Sequence, residues 1–90
     1  MKKQIHIYYS GRVQGVGFRY IARDIADELS VRGWVKNLGD SRVEVVAEAG
    51  EDALKDFLER IAQSFSRYIQ DADLEWGPAG GEYKDFEIRY

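Results

Sequence analysis

The period of the apolar residues switches along this chain, and that switching limits what it can fold into. Ile5, Ile7 and Tyr9 alternate with His6, Tyr8 and Ser10, which suits a strand with one buried face. From Phe18 the spacing turns helical. Phe18, Ile21, Ala22, Ile25, Ala26 and Leu29 form one stripe, with Arg23, Asp24, Asp27 and Glu28 opposite. Gly33 ends the connection that follows. Trp34 to Leu38 then reads as a short strand, closed by a turn at Gly39-Asp40-Ser41-Arg42. Val43 to Ala49 is rich in β-forming residues and pairs with that strand as a hairpin. Gly50-Glu51-Asp52 opens a second helix, acidic in its first turn as the dipole favours, with Leu54, Phe57, Leu58, Ile61 and Phe65 as its apolar face. Tyr68, Ala72, Leu74 and Trp76 fall opposite Asp71, Asp73 and Glu75, a fourth strand. Gly77-Pro78-Ala79-Gly80-Gly81 breaks the chain, and Phe86, Ile88 and Tyr90 alternate in a last short strand.

The order is therefore β-α-β-β-α-β with a terminal strand. It suits an α+β class, a ferredoxin-like split β-α-β sandwich: an antiparallel sheet with two helices on one face, plus a short C-terminal strand. The 90 residues fit a single domain spanning 1–90. Such folds host many functions, so function must be read from a site.

Composition narrows the choices. Net charge is −3, so nothing global favours nucleic acid or an anionic membrane, and any anion site must be local. There is no cysteine, which excludes disulfides, thiolate metal sites and thiol nucleophiles and fits a reducing compartment. One histidine, His6, cannot build a multi-histidine zinc site within a chain. No apolar run approaches membrane-spanning length, and Met1 to Ser10 lacks the features of a signal peptide, so the cytoplasm is the expected setting.

The stretch Gln14-Gly15-Val16-Gly17-Phe18-Arg19 falls where strand gives way to helix. A helix N-terminus offers unpaired N–H groups and a partial positive charge, so anions bind there. Glycines let successive N–H groups turn inward as a nest, and Arg19 could grip phosphate oxygens with its planar fork. Neither standard nucleotide motif is met: Phe18 follows Gly17 where a P-loop needs Lys, and Tyr20 stands where a dinucleotide loop needs glycine. The same residues also suit a tight turn with Arg19 as a solvated charge. On their own they do not decide between the two.

A cradle without cysteine, metal cluster or Ser-His-Asp arrangement must work by positioning and electrostatics. That suffices when the leaving group departs unaided. A carboxylate, with a conjugate acid of pKa about 4, needs no general acid. An acyl phosphate is thus a substrate so sparse a site could hydrolyse.

Gly11-Arg12-Val13-Gln14-Gly15-Val16-Gly17-Phe18-Arg19 resembles the signature of the acylphosphatase family. Gly33-Trp34-Val35-Lys36-Asn37-Leu38 is similar to its second signature, and Asp85-Phe86-Glu87-Ile88-Arg89-Tyr90 to its usual ending. The resemblance implies a ferredoxin-like fold and hydrolysis of the carboxyl–phosphate bond with no metal and no cofactor. It implies that Gln14, Gly15, Val16, Gly17, Phe18 and Arg19 hold the phosphate through backbone N–H groups. Arg19 and Asn37 are the expected catalytic residues. Arg19 binds phosphate and steadies the transition state, and Asn37 holds the attacking water. The substrate phosphate takes the proton. The expected partners are a small acyl phosphate and inorganic phosphate or sulfate as product or inhibitor, with no nucleic acid or membrane. The expected state is a monomer.

Two positions depart from the family pattern: Ser41 and Ala49 stand where relatives often have glycine. Both lie in turns. Arg12 and Lys36 either raise the local potential or are solvated surface charges. His6 reads as a sheet residue, and the tryptophans and tyrosines as core or edge packing. An RNA-binding module is disfavoured, because Val43 to Glu48 offers Glu44 and Glu48 and no aromatic. A phosphate sensor without turnover would use the same cradle.

Overall fold

Alternation of apolar and polar residues sets the faces of the strands, and the helices then cover one face. In a computed structural model, which describes residues 2–90, the elements are β1 (Lys2–Gly11), α1 (Phe18–Glu28), β2 (Arg32–Asn37), β3 (Val43–Gly50), α2 (Glu51–Ser64), β4 (Ile69–Pro78) and β5 (Phe86–Arg89). The sheet order is β4-β1-β3-β2-β5. β1 lies antiparallel to both β3 and β4, and β2 antiparallel to β3. β5 joins β2 in parallel. The sheet is thus antiparallel at every pairing except the last. The chain leaves β4 at one edge, crosses the sheet, and enters β5 at the other edge in the direction of β2.

Ile5, Ile7 and Tyr9 pair with Ala47, Val45 and Val43 and share one face. Phe18, Ala22 and Ala26 of α1 and Leu54, Phe57 and Ile61 of α2 pack against these residues in one core cluster. The two helices therefore lie on the same face. Phe18 stacks near Tyr9 (ring centroids 5.1 Å) and Phe65 (4.5 Å), which pins the start of α1 beside the end of β1. Gly33 has φ 143°, and a Cβ there would lie 1.9 Å from the Val46 carbonyl oxygen, so β2 and β3 approach closely only because this residue is glycine.

The opposite face is polar. His6 Nε2 and Glu44 Oε2 lie 2.6 Å apart on it. Glu48, only 6% exposed, accepts hydrogen bonds from Gln4 Nε2 and from the Gly80 and Gly81 N–H groups. Those bonds, with Trp34 Nε1 donating to the Tyr83 hydroxyl, seat the β4–β5 connection on this face. β4 holds Leu74 and Trp76 on the core side, opposite Ile7 and Ile5, yet both remain exposed, because α2 does not reach this edge. Among the described residues no helix is long and apolar enough to cross a membrane.

Candidate active site

The loop between β1 and α1 begins at an irregularity: the register of β1 against β4 shifts between Ser10 and Gly11. The Arg12 N–H then donates to the Tyr68 carbonyl. The chain turns toward α1 through two left-handed residues, Gly15 at φ 76° and Gly17 at φ 79°. A Cβ on either would meet nothing within 4 Å, so packing does not demand glycine here. The positive φ does.

Gly17 caps α1, with no side-chain capping bond and no acidic residue in the first turn. The first hydrogen bond of the helix runs from the Ile21 N–H to the Gly17 carbonyl. The positive end of α1 is thus left uncompensated. α2 shows the usual arrangement instead, with Glu51 and Asp52 in its first turn.

A cleft of about 150 Å³ opens at this helix end. Gly15, Gly17, Phe18 and Arg19 line one side, and Asn37, the last residue of β2, lines it too. Asn37 Oδ1 is buried and accepts no hydrogen bond from the protein. A buried acceptor left unpaired costs about 1–3 kcal/mol, so its presence calls for a ligand or a function. Arg19 makes no ion pair among the described residues; its guanidinium lies 4.9 Å from the centre of the Tyr90 ring. That contact orients the cation without neutralising it.

The other expected cradle residues sit further out. Val16 packs against the core. Gln14 sends its side chain to the β2–β3 turn, where Nε2 donates to the Leu38 carbonyl at 2.7 Å and the Arg42 carbonyl at 2.9 Å. Neither Gln14 nor Val16 lines the cleft. Lys36 pairs with Glu44 in register and so lies on the polar face with His6, across the sheet from Asn37. Asp40 is held by the Arg42 N–H and guanidinium, which keep its carboxyl below the ordinary range. The tie between Gln14 and the turn, and the stacking of Arg19 on Tyr90, carried no signal in local spacing. Both join segments far apart in sequence.

The acylphosphatase family profile matches residues 5–88. The chain belongs to the acylphosphatase family. It is accordingly an enzyme of the class acting on acyl phosphates. It is 43% identical over 89 residues to an acylphosphatase of Bacillus velezensis, covering 97% of this chain and 98% of that one. The crystal structure of acylphosphatase from Bacillus subtilis superimposes with a TM-score of 0.90 at 40% identity, covering 98% of this chain and 99% of that one. The fold also occurs within a larger protein: full-length HypF, in a phosphate- and nucleotide-bound form, matches with a TM-score of 0.89 at 30% identity. That match spans 100% of this chain but 12% of HypF.

Proposed function

We propose that this acylphosphatase hydrolyses the carboxyl–phosphate bond of small acyl phosphates through the cleft at the start of α1, without a resident metal. One observation carries the reading. Asn37, whose Oδ1 is buried and without a hydrogen-bond partner, lines the same cleft as Arg19 and the uncapped end of α1.

The phosphate sits against backbone N–H groups of the loop where Gly15, Gly17, Phe18 and Arg19 line the cleft. Arg19 binds its oxygens in the ground state and more strongly as charge spreads in the transition state. The Asn37 side-chain amide holds a water by hydrogen bonding and aims it at phosphorus. The water oxygen forms the new P–O bond while the bond from phosphorus to the acyl oxygen breaks, and the carboxylate leaves with that electron pair. An amide is too weak a base to take the water's proton, which passes to a phosphate oxygen. The products are carboxylate and inorganic phosphate, and phosphate or sulfate competes for the cradle. The 90 residues act as one domain, a monomer, in keeping with a cysteine-free chain in the reducing cytoplasm.

The test is phosphate release from acetyl phosphate, benzoyl phosphate and p-nitrophenyl phosphate. Turnover of the two acyl phosphates with none of the ester supports the reading. Hydrolysis of the ester alone, or of nothing, refutes it. Binding of phosphate without turnover would make the protein a sensor.

A further inference from the structure

We propose that β4 is a docking edge for an extended, basic segment of another protein, which joins the five-stranded sheet as a further strand through alternating cationic and apolar side chains.

β4 is the outer strand at the end of the sheet away from β5. It runs for ten residues, and Gln70 to Trp76 are exposed throughout. It pairs with β1 alone, so alternate N–H and C=O groups along its outer edge have no strand to receive them. The one proline of the chain, Pro78, is its last residue, so no donor is missing from the stretch before it. At the other end of the sheet β5 is four residues long and offers a much shorter edge.

The side chains of this edge sort by charge. Asp71, Asp73 and Glu75 stand opposite Ser10, Tyr8 and His6 on the polar face. None of the three carboxylates makes an ion pair among the described residues, and His6 is engaged by Glu44. Ala72, Leu74 and Trp76 stand opposite Tyr9, Ile7 and Ile5 on the core side, with Leu74 37% and Trp76 41% exposed. One edge thus presents unneutralised negative charge on one side and open apolar surface on the other.

That pattern selects the occupant. A second copy is the wrong one. Antiparallel self-pairing centred on Asp73 sets this residue against its own counterpart and Asp71 against Glu75. Centring on Leu74 sets Asp73 against Glu75. Like charges directly opposite destabilise a ladder. A shift of one residue instead turns the carboxylates of the copy onto the apolar side. A segment alternating Lys or Arg with apolar residues meets both sides. Its cations lie opposite the carboxylates, its apolar side chains continue the row of Leu74 and Trp76, and its backbone completes the ladder. Lys3 Nζ lies 6.0 Å from the centre of the Trp76 ring, so the cationic part of the segment is confined to the stretch from Asp71 to Glu75.

The probe is a short capped peptide alternating lysine with valine, titrated at low ionic strength into the ¹⁵N-labelled protein. Two controls accompany it: the same peptide with glutamate for lysine, and the lysine peptide N-methylated at every amide. The lysine peptide is expected to shift the amide signals of Gln70 to Trp76 and slow their exchange with solvent, and both controls to leave them in place. Asp73→Lys exchanges one attraction for one repulsion and should weaken binding about ten-fold. Leu74→Ser, on the other side of the strand, should weaken it about three-fold. Both residues are exposed, so each variant is expected to keep the circular dichroism of wild type. The comparison of peptides on wild type stands whether or not the variants fold. Absence of shifts in β4, equal binding of the N-methylated copy, or an affinity indifferent to Asp73→Lys overturns the proposal. Dimerisation of the free protein through β4 also overturns it, since a second copy would then occupy the edge.

Discussion

Gln14 Nε2 donates a 2.7 Å hydrogen bond to the carbonyl oxygen of Leu38, the residue after Asn37. Its second bond goes to the Arg42 carbonyl across the same turn. The loop that leads to Arg19 is thereby fixed against the strand end that carries Asn37. Gln14→Ala removes two hydrogen bonds, each worth about 0.5–1.5 kcal/mol, while both carbonyls keep a backbone donor, Ser41 N–H for Leu38 and Leu38 N–H for Arg42. It also lets the two walls of the cleft drift, so kcat is expected to fall about ten-fold or more. Thermal unfolding and steady-state kinetics on one preparation check both effects.

Asn37 is expected to show the opposite balance between stability and activity. Removing its amide deletes an unpaired buried acceptor. Asn37→Ala should therefore unfold at a temperature equal to or above wild type, while kcat drops about a hundred-fold and KM changes little. A variant that is less stable and still active would show that the amide serves packing.

Ser41 sits at φ 78°, a left-handed conformation that costs a side chain with a Cβ about 1–2 kcal/mol. It occupies the αL position of the β2–β3 turn, where glycine fits without strain. Glycine's larger entropy in the unfolded chain offsets part of the gain. Ser41→Gly is expected to stabilise the protein by up to about 1 kcal/mol, a rise in Tm of a few degrees. Differential scanning calorimetry reads this directly, with kcat/KM unchanged.

The hydrophobic core sets an alkaline limit. Burial pushes the Tyr9 hydroxyl well above its ordinary value, because the phenolate is disfavoured among apolar side chains. A folded-state pKa raised above the unfolded one means stability is complete below the ordinary tyrosine range of about 10. It is then lost as pH rises toward the folded value. Denaturant midpoints are expected to fall above that range in wild type, and Tyr9→Phe should flatten the decline. Equal slopes for the two proteins would place the alkaline loss elsewhere.

Much of this architecture was legible from spacing. Period-two and helical stripes located the strands and helices, because one face of each had to be buried. Ile5, Ile7 and Tyr9 did fall on the core face, and α1 began at Phe18. Spacing could not show how far a helix reaches sideways, so the apolar side of β4 was readable while the exposure of Leu74 and Trp76 was not. Nor could it give the parallel pairing of β5 with β2, which depends on a connection held down by Glu48. At the site, the two glycines and Arg19 announced a nest, since positive φ and a helix start leave a local mark. The tie from Gln14 to Leu38 and the position of Tyr90 at Arg19 left none. They arise only when the sheet order brings distant segments together. The aromatic residues read as packing proved mixed, because Tyr20 stands open at the cleft and Tyr90 is exposed against Arg19.

The central claim is that Arg19 and the cradle, with no metal, carry the reaction. It is tested most directly by benzoyl phosphate hydrolysis in excess chelator, comparing wild type with Arg19→Ala, each shown to be folded by circular dichroism. Wild-type turnover is expected to survive chelation, and the variant to lose about a thousand-fold in kcat/KM while keeping its thermal stability. Loss of wild-type activity on chelation, or a folded Arg19→Ala with normal kcat/KM, would contradict it.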